Sequence, residues 1–214
     1  MALTIAKQAA GAFAYSAVSG WVAVGANALV VSDEVDLSAL NALSMIEFDV
    51  EWMPVGTATP TKGCRIAIQA NLQNSGASDR WFTKYEVVTG LSAATAYAMD
   101  GNNNAGTTVI DETTSTAGLV VSGFVGFAHA TLQSSEVGRV VAISAGASFT
   151  LADGLANNHA AAEAYYNMGE KFAPAVIDMS AIARMRCLFE NNYQAGTAVA
   201  GRGRITYREM RVTS

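Results

Sequence analysis

Glu47-Phe48-Asp49-Val50-Glu51 is the run of this chain whose residue types and spacing most suggest chemistry. A period of two puts all three carboxylates on one face of an extended strand. Two such carboxyls can share a hydrolysis, one as nucleophile or base and the other protonating the leaving group. A retaining mechanism wants them roughly 5–5.5 Å apart, while four residues of strand span about 13 Å of backbone, so the side chains would have to lean together around a substrate.

Other polar constellations carry weaker chemistry. Asp100-Gly101-Asn102-Asn103-Asn104-Ala105-Gly106 is as oxygen-rich as a calcium loop, but that spacing asks for Gly at 105 and Glu at 111, where Ala105 and Asp111 stand. A polar turn is the expectation, since Asn and Gly tolerate left-handed backbone. His129 and His159 are the only histidines and have no metal-ligand spacing, so each is expected to be satisfied or at the surface. Cys64 and Cys187 lie singly in apolar runs, which favours buried thiols and leaves a single bridge between them open. Gly201-Arg202-Gly203-Arg204 suits a turn into the last strand or a brief phosphate contact. Neither G-x-S-x-G nor GxxxxGK[ST] occurs, and these patterns imply no catalytic residue, cofactor or metal.

The elements that must position these residues read as strands. Ile46, Phe48, Val50 and Trp52 alternate with the carboxylates, and Pro54 is expected to end that strand. Cys64, Ile66, Ile68, Ala70 and Leu72 alternate with Arg65, Ala67, Gln69 and Asn71. Further strands are expected over 81–89, 107–110, 119–127, 139–144, 182–190 and 204–212, each bounded by Gly, Asn or Ser. Two short helices are expected, one turn over 37–43 and an Ala-rich segment over 158–168. The fold class is therefore all-β, an antiparallel β-sandwich or jelly roll with little helix.

Residues 8–32 and 113–135 carry no charge, but Gly, Ser, Thr and Asn interrupt both, so neither makes a membrane span or signal segment. The organisation expected is an N-terminal strand or docking arm over 1–32 and one sandwich domain over 33–214. Charged residues are only 14% of the 214, against about 25% in an average soluble domain. Net charge is −5, which argues against a generally basic nucleic-acid binder. The charges are also segregated. Residues 1–60 hold one cation against six anions, and residues 171–214 hold seven cations against three anions. Glu47, Asp49 and Glu51 are thus electrostatic complements of Arg184, Arg186, Arg204 and Arg208. They suit either a cross-strand ladder within one subunit or a contact between subunits.

Two resemblances give these observations a functional reading. The run from Glu47 to Glu51 resembles the E-x-D-x-E signature of laminarinase- and lichenase-like glycoside hydrolases, which are jelly rolls. That resemblance covers five residues and implies Glu47 as nucleophile, Glu51 as acid/base and Asp49 as their assistant. Across its whole length the chain resembles, in style, the jelly-roll or β-sandwich decoration proteins of tailed-bacteriophage capsids. It shares their compact size, Ala/Gly/Thr-rich strands, few charges and lack of a catalytic motif. This second resemblance implies a non-enzymatic virion protein that forms a homo-oligomer, often a trimer in that class. Its partner would be the phage major capsid protein, with no nucleic-acid or membrane partner. A tail component and a glycan-binding protein or hydrolase using Glu47 and Glu51 are the alternatives.

Overall fold

The structure is a computed structural model. It describes residues 4–12, 14–15, 18–25, 28–37, 45–55, 64–73, 80–88, 95–112, 116–191 and 200–213. Strands are numbered in chain order, and all the pairings described are antiparallel. One sheet runs β1 (Thr4–Ala12), β18 (Ala200–Thr213), β7 (Met45–Val55) and β16 (Glu170–Asp178), with β4 (Val22–Val24) also on β18. A second runs β5 (Leu29–Val31), β17 (Arg184–Asn191), β8 (Cys64–Asn71) and β9 (Phe82–Val88), with β6 (Val35–Asp36) also on β17. A third runs β10 (Ala96–Ala98), β15 (Ala164–Tyr166), β12 (Phe124–Phe127), β13 (Glu136–Ser144), β14 (Ser148–Leu151) and β11 (Val109–Asp111). β2 (Ala14–Tyr15) and β3 (Val18–Ser19) form a small hairpin. The expected all-β antiparallel sandwich is the fold found.

The first two sheets sandwich one core. The inward residues of β7, Ile46, Phe48, Val50 and Trp52, meet Ile66 and Ile68 of β8 and Met185, Cys187 and Phe189 of β17, all at most 2% exposed. Burial of each such side chain contributes roughly 1.5–3 kcal/mol, so the alternation read in β7 is itself a principal source of stability. Gly203 of β18 is required by this packing: a Cβ there would stand 2.2 Å from the Phe189 ring and 2.8 Å from that of Trp52. Residues 201–204 therefore form part of a strand, not the expected turn, with Gly203 beneath the two rings.

The segment between β9 and β16 builds the third sheet around its own core of Met99, Ile110, Val125, Phe127, Phe149, Leu151 and Tyr165. A third cluster, Trp21, Met53, Ala128, Val137 and Tyr166, joins this inserted sheet to the sandwich. Gly126 makes the close approach possible, because a Cβ there would lie 2.7 Å from Met53 Sδ. The N-terminal segment packs on its own chain. β1 and β4 both pair with β18, while Trp21 N–H donates to Gln133 Oε1 and its carbonyl accepts from Gln133 Nε2.

Several boundaries differ from expectation. Strand β7 continues through Pro54 to Val55, because its β16 neighbour has ended at Trp52 and only the β18 ladder remains. The Ala-rich segment 158–168 is not helical: His159 bridges to Asn103, Ala162 adopts φ 66°, and residues 164–166 are β15. Ala propensity is too weak to oppose the burial of Tyr165 and Tyr166 in sheet positions. Leu37 is buried, and the rest of the helical turn expected over 37–43 lies outside the described residues. Of the strand expected over 119–127 only 124–127 pair, after turns that hold Gly118 and Ser122 at positive φ. Cys64 and Cys187 are buried thiols with no disulfide; Cys187 lies opposite Ile68, and Cys64 opposite Asn191.

Candidate functional site

Where the inserted sheet meets the sandwich, a cleft of about 350 Å³ opens between β7, β16 and β18 on one wall and β12, β13, β14 and the 153–157 loop on the other. Glu51, Lys171 and Arg204 stand on the sandwich wall, and Glu136, Arg139 and Asp153 on the inserted one. Antiparallel register makes the first three neighbours, because Glu51 of the central strand lies opposite Lys171 on one side and Arg204 on the other.

Glu51 is the pivot of that wall. Its side chain is only 3% exposed; Oε1 lies 3.1 Å from Lys171 Nζ, and Oε2 accepts a 2.5 Å hydrogen bond from Arg204 Nη2. Burial works against the Lys171 charge, but Glu51 and then Asp49 outweigh it and hold its pKa above the ordinary lysine value. The Arg204 guanidinium also lies 5.4 Å from the centroid of the Trp21 ring, a cation–π contact at the seam.

The inserted wall rests on a histidine cluster. His159, whose side chain is fully buried, has Nε2 3.0 Å from Glu136 Oε1 and Nδ1 3.1 Å from Glu163 Oε2. The ring thus lies within hydrogen-bond distance of a carboxylate at each nitrogen and bridges Glu136 to Glu163. Burial raises the Glu136 pKa, yet His159 and the Ala156 and Asn157 amides outweigh it and hold the group below the usual carboxylate range. Burial likewise opposes the Glu163 charge, and the Ala130 and Ala160 amides with both histidines overcome it. His129 completes the cluster edge-on to His159, with ring centroids 5.4 Å apart and Nε2 3.6 Å from Glu163 Oε1. Arg202 ties it to β18 through the Ser135 hydroxyl and the His129 carbonyl, and burial lowers its pKa.

Of the residues singled out from the sequence, Glu51 and Arg204 form a cross-strand ion pair inside one chain. Glu47 lies opposite Arg208 in the ladder, and Asp49 opposite Thr206; the Arg208 side chain lies outside the described residues. The cleft is lined by Glu51 and not by Glu47, so the two outer carboxylates of the E-x-D-x-E run do not share it. Arg184 is paired with Glu34 at 2.6 Å and donates to the Gln73 carbonyl. Arg186 donates to Gln69 and lies 4.2 Å from the centroid of Trp81, so both sit on the second sheet, away from the cleft.

The Asp100–Gly106 segment is a turn, with Gly106 at φ 88° and Asn103 bonded through its backbone to His159. Among the described residues no group of three or more His, Cys, Asp or Glu is placed to hold a metal ion, and no helix is long and apolar enough to cross a membrane. Sequence spacing gave no sign of the histidine cluster. The only local signal is Glu163, four residues beyond His159. Comparison with known proteins gives no matching family model, and no curated protein or solved structure matches significantly.

Proposed function

We propose that the protein is a non-enzymatic structural component of a tailed-phage virion, a capsid decoration protein that associates with copies of itself and binds the coat lattice. The observation that carries this reading is that charge is scarce in this chain and that part of it is paired internally. Glu51 is paired with Lys171 and Arg204, Arg65 with Glu86 and Glu190, Arg184 with Glu34, and Glu136 and Glu163 with His159. The exterior is left sparsely charged, and Leu29, Leu72, Val88 and Val176 are each more than half exposed. Neutral surface of this kind packs against neighbours without desolvating unpaired charge.

The sheet margins support closed association through faces. Edge strand β9 carries an irregularity in its register with β8 at Lys84, and edge strand β16 shifts register across Pro174. Bulges, Lys and Pro on an edge oppose open-ended strand addition, the route to fibres. The alternative reading, a glycan-binding protein or hydrolase using Glu47 and Glu51, draws on the cleft beside Glu51. The double ion pair on Glu51 favours the structural reading.

Co-sedimentation with purified phage capsids tests the proposal. Saturable binding that ends at a fixed ratio to the coat subunit is expected. No binding to capsids, together with β-glucan cleavage lost in Glu51→Gln, would replace the proposal with the hydrolase reading.

A further inference from the structure

The charges of the cleft are unevenly available to a ligand. Both oxygens of Glu51 are committed to Lys171 and Arg204. Those of Glu136 are committed to His159 and to the Ala156 and Asn157 amides. The cations keep donors in reserve: an ammonium has three and a guanidinium five, and among the described residues the side-chain acceptor of both Lys171 and Arg204 is Glu51, with the Trp21 ring beside Arg204. Their side chains remain 44% and 30% exposed. Across the cleft Arg139 is exposed, and among the described residues its guanidinium makes no hydrogen bond or ion pair. The acid of the lining with uncommitted oxygens is Asp153, which is exposed.

We infer that this cleft binds an oxyanion, a carboxylate or phosphate group held between Arg139 on one wall and Lys171 and Arg204 on the other. A planar guanidinium presents paired N–H donors suited to such a group, and the ammonium adds a point charge. A cationic ligand would find the oxygens of Glu51 and Glu136 already occupied and would meet three positive side chains. The nearby uncommitted charge of Asp153 weakens anion binding, which makes it a control of opposite sign. The inference does not depend on the virion reading, because the groups that carry it lie within one chain.

The test is a titration of the full chain followed by amide chemical shifts, with inorganic phosphate in one arm and acetate or a short Asp/Glu peptide in the other. Saturable shifts are expected for amides of residues 137–139 and 153–157, weakening as salt rises. Arg139→Gln, at an exposed position, should weaken binding about tenfold, the loss of one charge-assisted contact. Asp153→Asn should strengthen it several-fold. Phosphate binding alone would identify the group as phosphate, and peptide binding alone as a protein carboxylate. No saturable shift in either arm up to ~50 mM, a Kd unchanged in Arg139→Gln, or the same shifts with calcium in place of the anions would overturn the inference.

Discussion

Replacing His159 with alanine probes the joint on which the inserted sheet rests. The substitution removes two ring contacts to carboxylates, at 3.0 Å to Glu136 and 3.1 Å to Glu163, from a side chain with no solvent exposure. Each is worth about 1.5–3 kcal/mol, and each carboxylate keeps two backbone amides, so a net loss of about 3–4 kcal/mol is expected. For a chain of this size that is a fall of roughly 6–16 °C in Tm, measurable by circular dichroism at pH 7. The pH dependence carries a sign. Glu136 and Glu163 are held below the ordinary value of 4.5, so the stability they confer is complete above it and is lost as pH falls through their folded-state values. The difference between wild type and variant should therefore shrink in acid. A Tm within about 2 °C of wild type at pH 7 would refute the argument that His159 bridges the two carboxylates.

Other predictions follow from single positions. Glu112 is fully buried; its pKa is pushed up to about 7, chiefly by burial, with Asp100 and Asp111 adding to the rise against the Asp100 amide. Its stabilising contribution is complete below about 4.5 and lost as pH rises through 7. Glu112→Gln should accordingly flatten the decline in stability over that interval and leave the variant up to about 3 kcal/mol more stable at pH 8, as read by urea unfolding. Gly203→Ala drives a methyl into Phe189 and Trp52 and should cost about 1–3 kcal/mol in the same assay, with a changed near-ultraviolet Trp signal.

What the sequence made legible was local. The alternation over 45–53 marked β7 and its inward residues because period two requires no knowledge of the partner strand. The opposite charges of the two chain ends were visible as well, and the register places Glu51 against Arg204, Glu47 against Arg208 and Asp36 against Arg184. The cleft beside Glu51 was not legible, because its Glu136–Leu151 wall comes from an insertion long after β7 in the chain. The histidine cluster was hidden for the same reason: pairing of Phe127 with Tyr165 brings His129 beside His159 across thirty residues of chain. Ala-rich composition misled over 158–168, where tertiary burial of two tyrosines outweighs helix propensity.

The central claim is that a chain so sparing of charge meets its neighbours through neutral surface. Sedimentation equilibrium across a hundredfold range of concentration tests it most directly. One closed oligomer, resistant to high salt because few ion pairs cross its interfaces, is the expected result. A monomer at every concentration, or an assembly that dissolves as salt is raised, would contradict it.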